Sequence, residues 1–183
     1  MKIKKIHHVA YRCVDANETV EFYYNLLGME LLLVFAEDKV PSTKEEHPYM
    51  HIFLDAGMGN VLAFFELPNS PKIGRDENTP FWVQHIALEV EDMKGLMETK
   101  LKLESMGLEV IGPVDHSLFK SIYFTDPSGH RVELTCNINI PQSEMEKLKS
   151  LAPIMLNEWN RTKKPPKQNA WLHEKEFRRY NNE

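Results

Sequence analysis

Two histidines and two glutamates carry most of the chemistry this sequence can offer. His8 stands in Ile6-His-His-Val-Ala10 and His85 in Val83-Gln-His-Ile-Ala87, 77 positions apart. Glu66 lies in Leu62-Ala-Phe-Phe-Glu-Leu67 and Glu133 in Val132-Glu-Leu134, both otherwise apolar runs. An ionised carboxylate inside a buried strand is costly unless a cation or several donors neutralise it. Two imidazoles with one or two carboxylates, drawn from separate strands, suit a divalent first-row metal. A single histidine on an apolar strand is by itself more often a satisfied core or edge residue. The shared register of His8 and His85, with a glutamate closing each copy, favours ligation for the set. For Glu66 a hydrogen-bonded supporting role explains the residue as well as a fourth ligand would.

The elements that must position these residues occur twice. Asp15 and Asp92 repeat the 77-residue offset, and Gly28 and Gly107 lie 79 apart. The runs 3–12 and 82–90 are rich in β-formers. Asp15 with Glu18 forms a capping box. Val20, Phe22, Tyr23, Leu26 and Leu27 follow at helical spacing, and Gly28 can end the helix. Asp92 caps the second helix, which Leu96, Met97, Leu101 and Leu103 populate before Gly107. Three strands should follow in each copy, at 30–35, 50–55 and 60–67, then at 108–113, 118–124 and 131–136. The expectation is an α+β fold of two tandem βαβββ modules, residues 1–67 and 81–137, forming a curved mixed β-sheet cup. A Pro- and Asn-rich linker joins them over 68–80.

A helical extension is expected over 138–183. Ser143 can cap a helix with Met145, Leu148, Leu151, Met155 and Trp159 on one face, and Pro153 should kink it or start a second helix. Residues 163–167 read as an extended linker and 171–180 as a short last helix. This extension reads as a lid or an arm across a second subunit, which implies a homodimer. A frayed tail accounts equally well for the final dozen residues.

Composition narrows the function classes. The chain has 183 residues, 42% hydrophobic and 27% charged, with net charge −5 and a sequence pI near 5.9. That balance offers no basic field for nucleic acid or anionic lipid. No run approaches the ~20 apolar residues of a membrane span, and the basic first residues lack an apolar signal core. Cys13 and Cys136 are too few for a disulfide framework, so a cytoplasmic setting is expected.

Phe22-Tyr-Tyr-Asn-Leu-Leu-Gly28 after a capped turn, followed by Asp126-Pro-Ser-Gly-His-Arg-Val-Glu133, resembles the vicinal oxygen chelate superfamily of glyoxalases, bleomycin-resistance proteins and extradiol dioxygenases. The resemblance covers residues 3–136. That superfamily includes lyases, epimerases, transferases, dioxygenases and metal-free binders. Within it, His116, an Ile-Tyr pair ending at Tyr123, and Asp-Pro-Ser-Gly leading to Glu133 are similar to the signature of type I extradiol ring-cleaving dioxygenases. The resemblance implies one Fe(II), with Mn, Zn or Ni as alternatives, held by His8, His85 and Glu133. It also implies that Tyr123 bonds the substrate oxygen, that His116 lines the oxygen side, and that His51 is the further active-site histidine. The substrates would be a small aromatic or oxygenated molecule and O2. Three open coordination positions would admit a bidentate catechol and dioxygen, and His51 could take and return a proton. The bland readings are a packed aromatic at Tyr123, a good turn sequence at 126–129 and an edge-strand surface residue at His51. Two rivals remain at this point. One is a glyoxalase-I-like lyase or isomerase using Zn or Ni with Glu66 as fourth ligand, and the other a non-catalytic protein that sequesters a small ligand.

Overall fold

The structure is a computed structural model and describes residues 1–168 and 170. The first module runs β1 (Val9–Cys13), α1 (Ala16–Leu27), β2 (Leu31–Lys39), β3 (Glu46–Asp55) and β4 (Val61–Glu66). The second runs β5 (Ile86–Glu89), α2 (Met93–Ser105), β6 (Ile111–Asp115), β7 (Phe119–Thr125) and β8 (Arg131–Asn137). Each module is a four-stranded mixed sheet with its first strand parallel to its last, in the orders β1-β4-β3-β2 and β5-β8-β7-β6. The fold is α+β, two βαβββ modules in tandem, with a C-terminal helix α3 (Gln142–Thr162).

Local chemistry places the helices as the sequence implies. Asp15 Oδ1 accepts a hydrogen bond from Glu18 N at 2.8 Å, and Asp92 Oδ1 accepts from Gly95 N at 2.7 Å. Gly28 ends α1 at φ 68°, where a Cβ would be disfavoured. Both helices lie on one side of the sheets and share one core. Tyr23, Phe64, Leu96, Leu103, Ile122 and Leu134 belong to a single buried cluster. The turn between β7 and β8 ties the modules together. Tyr23 Oη donates to Asp126 Oδ2 at 3.0 Å, Val14 N to Ser128 Oγ at 3.0 Å, and His130 Nε2 to the Arg12 carbonyl at 2.6 Å.

Several boundaries differ from the sequence expectations. β1 and β5 are shorter, because the residues before His8 and His85 find no strand partner. β2 continues to Lys39 and β3 begins at Glu46, so the segment 36–47 forms the end of a long hairpin. β6 begins at Ile111 and not at 108. α3 passes unbroken through Pro153, whose ring removes one N–H without ending the helix. Pro141, not Ser143, sits at its N-cap, with no side-chain cap bond. The short helix expected at 171–180 lies outside the described residues.

Candidate metal centre

Strand pairing fixes which side chains share a face, because alternate residues point to opposite sides of a sheet. In the second module Ile86 pairs with Val132, so His85 enters β5 beside the start of β8, and Glu133 pairs with Ala87 and Tyr123. Val132 and Leu134 face the helices and are buried there. Arg131, Glu133, Thr135, Tyr123 and Ser121 therefore share the opposite, concave face.

On that face His85 and Glu133 meet. His85 Nε2 lies 2.9 Å from Glu133 Oε2. The other ring nitrogen, Nδ1, lies 3.1 Å from the Val83 carbonyl, which can only accept, so Nδ1 carries the hydrogen. In neutral His85 the lone pair of Nε2 then faces a carboxylate oxygen, and two acceptors at that distance require a cation between them. A proton or a metal ion meets that need. Glu133 is only 4% exposed, and its second oxygen accepts from Ser121 Oγ at 2.5 Å. A carbonyl that orients a histidine and a hydroxyl that orients a carboxylate are the supports metal ligands require.

Two more polar groups lie beside this pair. Tyr123 is the cross-strand partner of Glu133, and His116 Nε2 lies 2.8 Å from Tyr123 Oη. Burial, reinforced by the Glu133 charge, pushes the Tyr123 hydroxyl above its usual value, so it stays protonated and donates. These residues, with Trp82, Phe119 and Arg131 among others, surround a cavity of about 420 Å³.

The first module presents a different surface on its equivalent face. His8 precedes Val9, which pairs with Leu62 as Ile86 pairs with Val132, so His8 and His85 do hold matching positions. The position matching Glu133, however, is Ala63. Glu66 falls three residues later, opposite Cys13, and matches Cys136. An odd offset reverses the face, and Glu66 turns toward the helices, where its Oε2 accepts from Ala16 N at 2.8 Å at the start of α1. The structure does not bring Glu66 to the histidines. His8 lies with His51 and Phe53, at ring-centroid distances of 6.3 and 5.8 Å. His51 stacks on Phe65 at 3.5 Å, and burial, then the neighbouring His8, hold its imidazole below its usual value.

The seven candidates therefore separate into His85, Glu133, Tyr123 and His116 on the second module, His8 and His51 on the concave face of the first, and Glu66 on the helix side of the first. Among the described residues, no three His, Cys, Asp or Glu side chains converge closely enough to hold a metal ion. His85 and Glu133 are a fitting pair of donors that needs a third. Sequence reasoning missed Ser121, a buried serine whose only signal is its strand position opposite Thr135 and beside Tyr123. Among the described residues no helix is long and apolar enough to cross a membrane.

Comparison with known proteins agrees with this architecture. Residues 5–134 match the model of the glyoxalase/bleomycin resistance protein/dioxygenase superfamily. The Bacillus subtilis (strain 168) protein named "putative ring-cleaving dioxygenase MhqA" is 27% identical over 140 residues, covering 75% of this chain and 42% of its own length. The chain thus spans less than half of that relative. Lactoylglutathione lyase of Haemophilus influenzae is 26% identical over 133 residues, covering 73% of this chain and 93% of its own length. Among solved structures, a trypanothione-dependent glyoxalase I of Leishmania major superposes with a TM-score of 0.57 at 22% identity, over 81% of this chain and 94% of that one. That likeness speaks for the fold.

Proposed function

The chain belongs to the glyoxalase/bleomycin resistance protein/dioxygenase superfamily, and from that premise we propose that it is an Fe(II)-dependent extradiol dioxygenase that opens a catechol-like ring with O2. The observation that carries the reading is the grouping of His116, Tyr123, Glu133 and His85 around one cavity. The similarity to a ring-cleaving dioxygenase supports it.

His85 and Glu133 would hold the ion, with His8 of a second copy as the third ligand. The exposed apolar strand β2, with Leu33, Val34 and Phe35 at 43%, 42% and 52% exposure, supports a homodimer of this kind. The bound metal would supply Lewis acidity and a route for electrons between diol and oxygen. The protein's own groups do the rest. Tyr123 Oη would bond a substrate oxygen as charge develops on it. His116 Nε2, bonded to that hydroxyl, can supply or hold a proton at it. His51 of the second copy, kept neutral by burial, is suited to accept one. Phe35, Phe53 and Phe65 on the same face as His51 would exclude water from the ring.

The test is anaerobic purification, metal analysis and oxygen uptake with a panel of catechols. We expect about one iron per chain and a coloured ring-opened product formed in proportion to oxygen consumed. A second reading, a glyoxalase-like lyase, is favoured by the nearly full-length match to lactoylglutathione lyase. Turnover of methylglyoxal and glutathione without oxygen consumption would establish it and displace the dioxygenase.

A further inference from the structure

We propose that the substrate is a diol bearing an anionic group, a carboxylate or one of like charge, and that Arg131 and Arg75 bind that group in a second cavity beside His85. The inference rests on the reading of His85 and Glu133 as the seat of the diol. A cavity of about 370 Å³ lies between the inter-module linker and the β7–β8 turn, lined by Arg75, Phe81, Gln84, His85, His130 and Arg131 among others. His85 and Arg131 also line the cavity that holds Tyr123 and His116, so the two spaces adjoin.

Arg131 and Glu133 are two residues apart on one strand and face the same way. Their Cα atoms are therefore about 6.5–7 Å apart, comparable to the span of an aromatic ring with one substituent. Both guanidiniums are held in place by aromatic faces. Arg75 Cζ lies 3.8 Å from the Phe81 ring centroid, and Arg131 Cζ lies 4.2 Å from that of Tyr123 and 5.4 Å from that of Phe81. Such stacking leaves the N–H edge free to take a planar anion in a bidentate manner. Arg131 Nε is buried and makes no hydrogen bond, and a buried donor left unpaired is costly. Among the described residues neither arginine is in an ion pair. Among the described residues the one acid on the cavity wall, Asp76, has its oxygens engaged by Thr79 Oγ1 and Asn78 N. Two fixed cations facing one committed carboxylate make a site for an anion.

The experiment titrates three probes into the metal-loaded protein without oxygen: 3,4-dihydroxybenzoate, its neutral amide 3,4-dihydroxybenzamide, and catechol. Wild type should bind the acid at least about tenfold more tightly than the amide, as expected of a charge-assisted bidentate contact. Arg131→Gln and Arg75→Gln should each reduce that preference to within about twofold, and Arg131→Lys should keep part of it. Arg75 is exposed on the linker, so its variant keeps the test decisive should Arg131→Gln fail to fold. Equal binding of acid and amide by wild type, no binding of the acid, or a preference that survives in both Gln variants would overturn the inference. Oxygen uptake separates it from the proposed reaction. A preference for the acid without oxygen consumption upholds the anion site and sinks the dioxygenase. Oxygen consumption with all three probes, without preference, does the reverse.

Discussion

Replacing Glu66 by Ala should leave the metal content of the protein unchanged and lower its stability by about 1–2 kcal/mol. The carboxylate accepts from the first N–H of α1 and lies on the helix side of β4, so its loss leaves that N–H without its acceptor and removes no donor from the concave face. Urea denaturation and metal analysis of one preparation check both halves, and a fall in metal content would place Glu66 at the ion. Tyr123→Phe asks the complementary question. It removes one hydroxyl at nearly constant volume, so the metal should stay while turnover falls by about one to two decades. Assay of ring opening at saturating catechol, with iron measured in parallel, reads the difference; unchanged turnover would leave Tyr123 a packed aromatic. Glu66 and Glu133 are indistinguishable by type and by the apolar runs around them. Face depends on whether an offset is odd or even, and the offset depends on register. Ala63, three residues before Glu66, occupies the place that the repeat assigns to glutamate in the second module. His8 and His85 were legible because each directly precedes the residue that begins a parallel ladder.

The turn between β7 and β8 belongs to the second module but fastens the first to it. Asp126 is 4% exposed and accepts from Tyr23 Oη, Ser128 N and His130 N. Asp126→Ala would leave the hydroxyl of Tyr23, itself 1% exposed, without its partner and would free two turn N–H groups. A loss of about 2–4 kcal/mol is expected in denaturant unfolding, far beyond that of an ordinary turn residue. Burial raises the Asp126 carboxyl above its usual value despite these donors. The folded chain therefore retains this proton at a pH where the unfolded chain has released it. By linkage, the group's contribution to stability declines as pH rises from about 4 through the raised value. Asp126→Asn should flatten that slope, and stability measured across pH 4–7 reads it. Asp-Pro-Ser-Gly was legible as a turn and as part of the signature. Its grip on Tyr23 was not, since that contact spans 103 positions and exists only once the two helices pack on one core. The capped helices were readable because caps are local, while the strand ends were not, because a strand stops where its neighbour does.

At the scale of the whole molecule, the candidate residues fall on two unlike concave faces. His85, Glu133, Tyr123 and His116 occupy the concave face of the second module, and His8 and His51 that of the first. β2 is exposed along its full length, and α3 has no buried residue although Ile154, Leu156 and Trp159 are apolar. Two copies that joined the first module of one to the second of the other would cover apolar surface and complete two metal sites. A complementation experiment tests this arrangement directly. His8→Ala and Glu133→Ala chains should each be inactive and poor in metal, since each dimer of one kind lacks the same ligand twice. Unfolded together and refolded, they would form mixed dimers in which one site has both defects and the other none. With random pairing, half the dimers would carry one intact site of two, so activity and bound metal should recover to roughly a quarter of wild type. A mixture of His85→Ala and Glu133→Ala chains is the control. Those two ligands come from one module, so every site in a mixed dimer still lacks one of them and nothing should recover. Recovery in the control would put His85 and Glu133 of each site on different chains. Absence of recovery in the first mixture, while both refolded chains are native by circular dichroism, would put all three ligands within one chain. The dimer would then have to be explained by β2 and α3 alone.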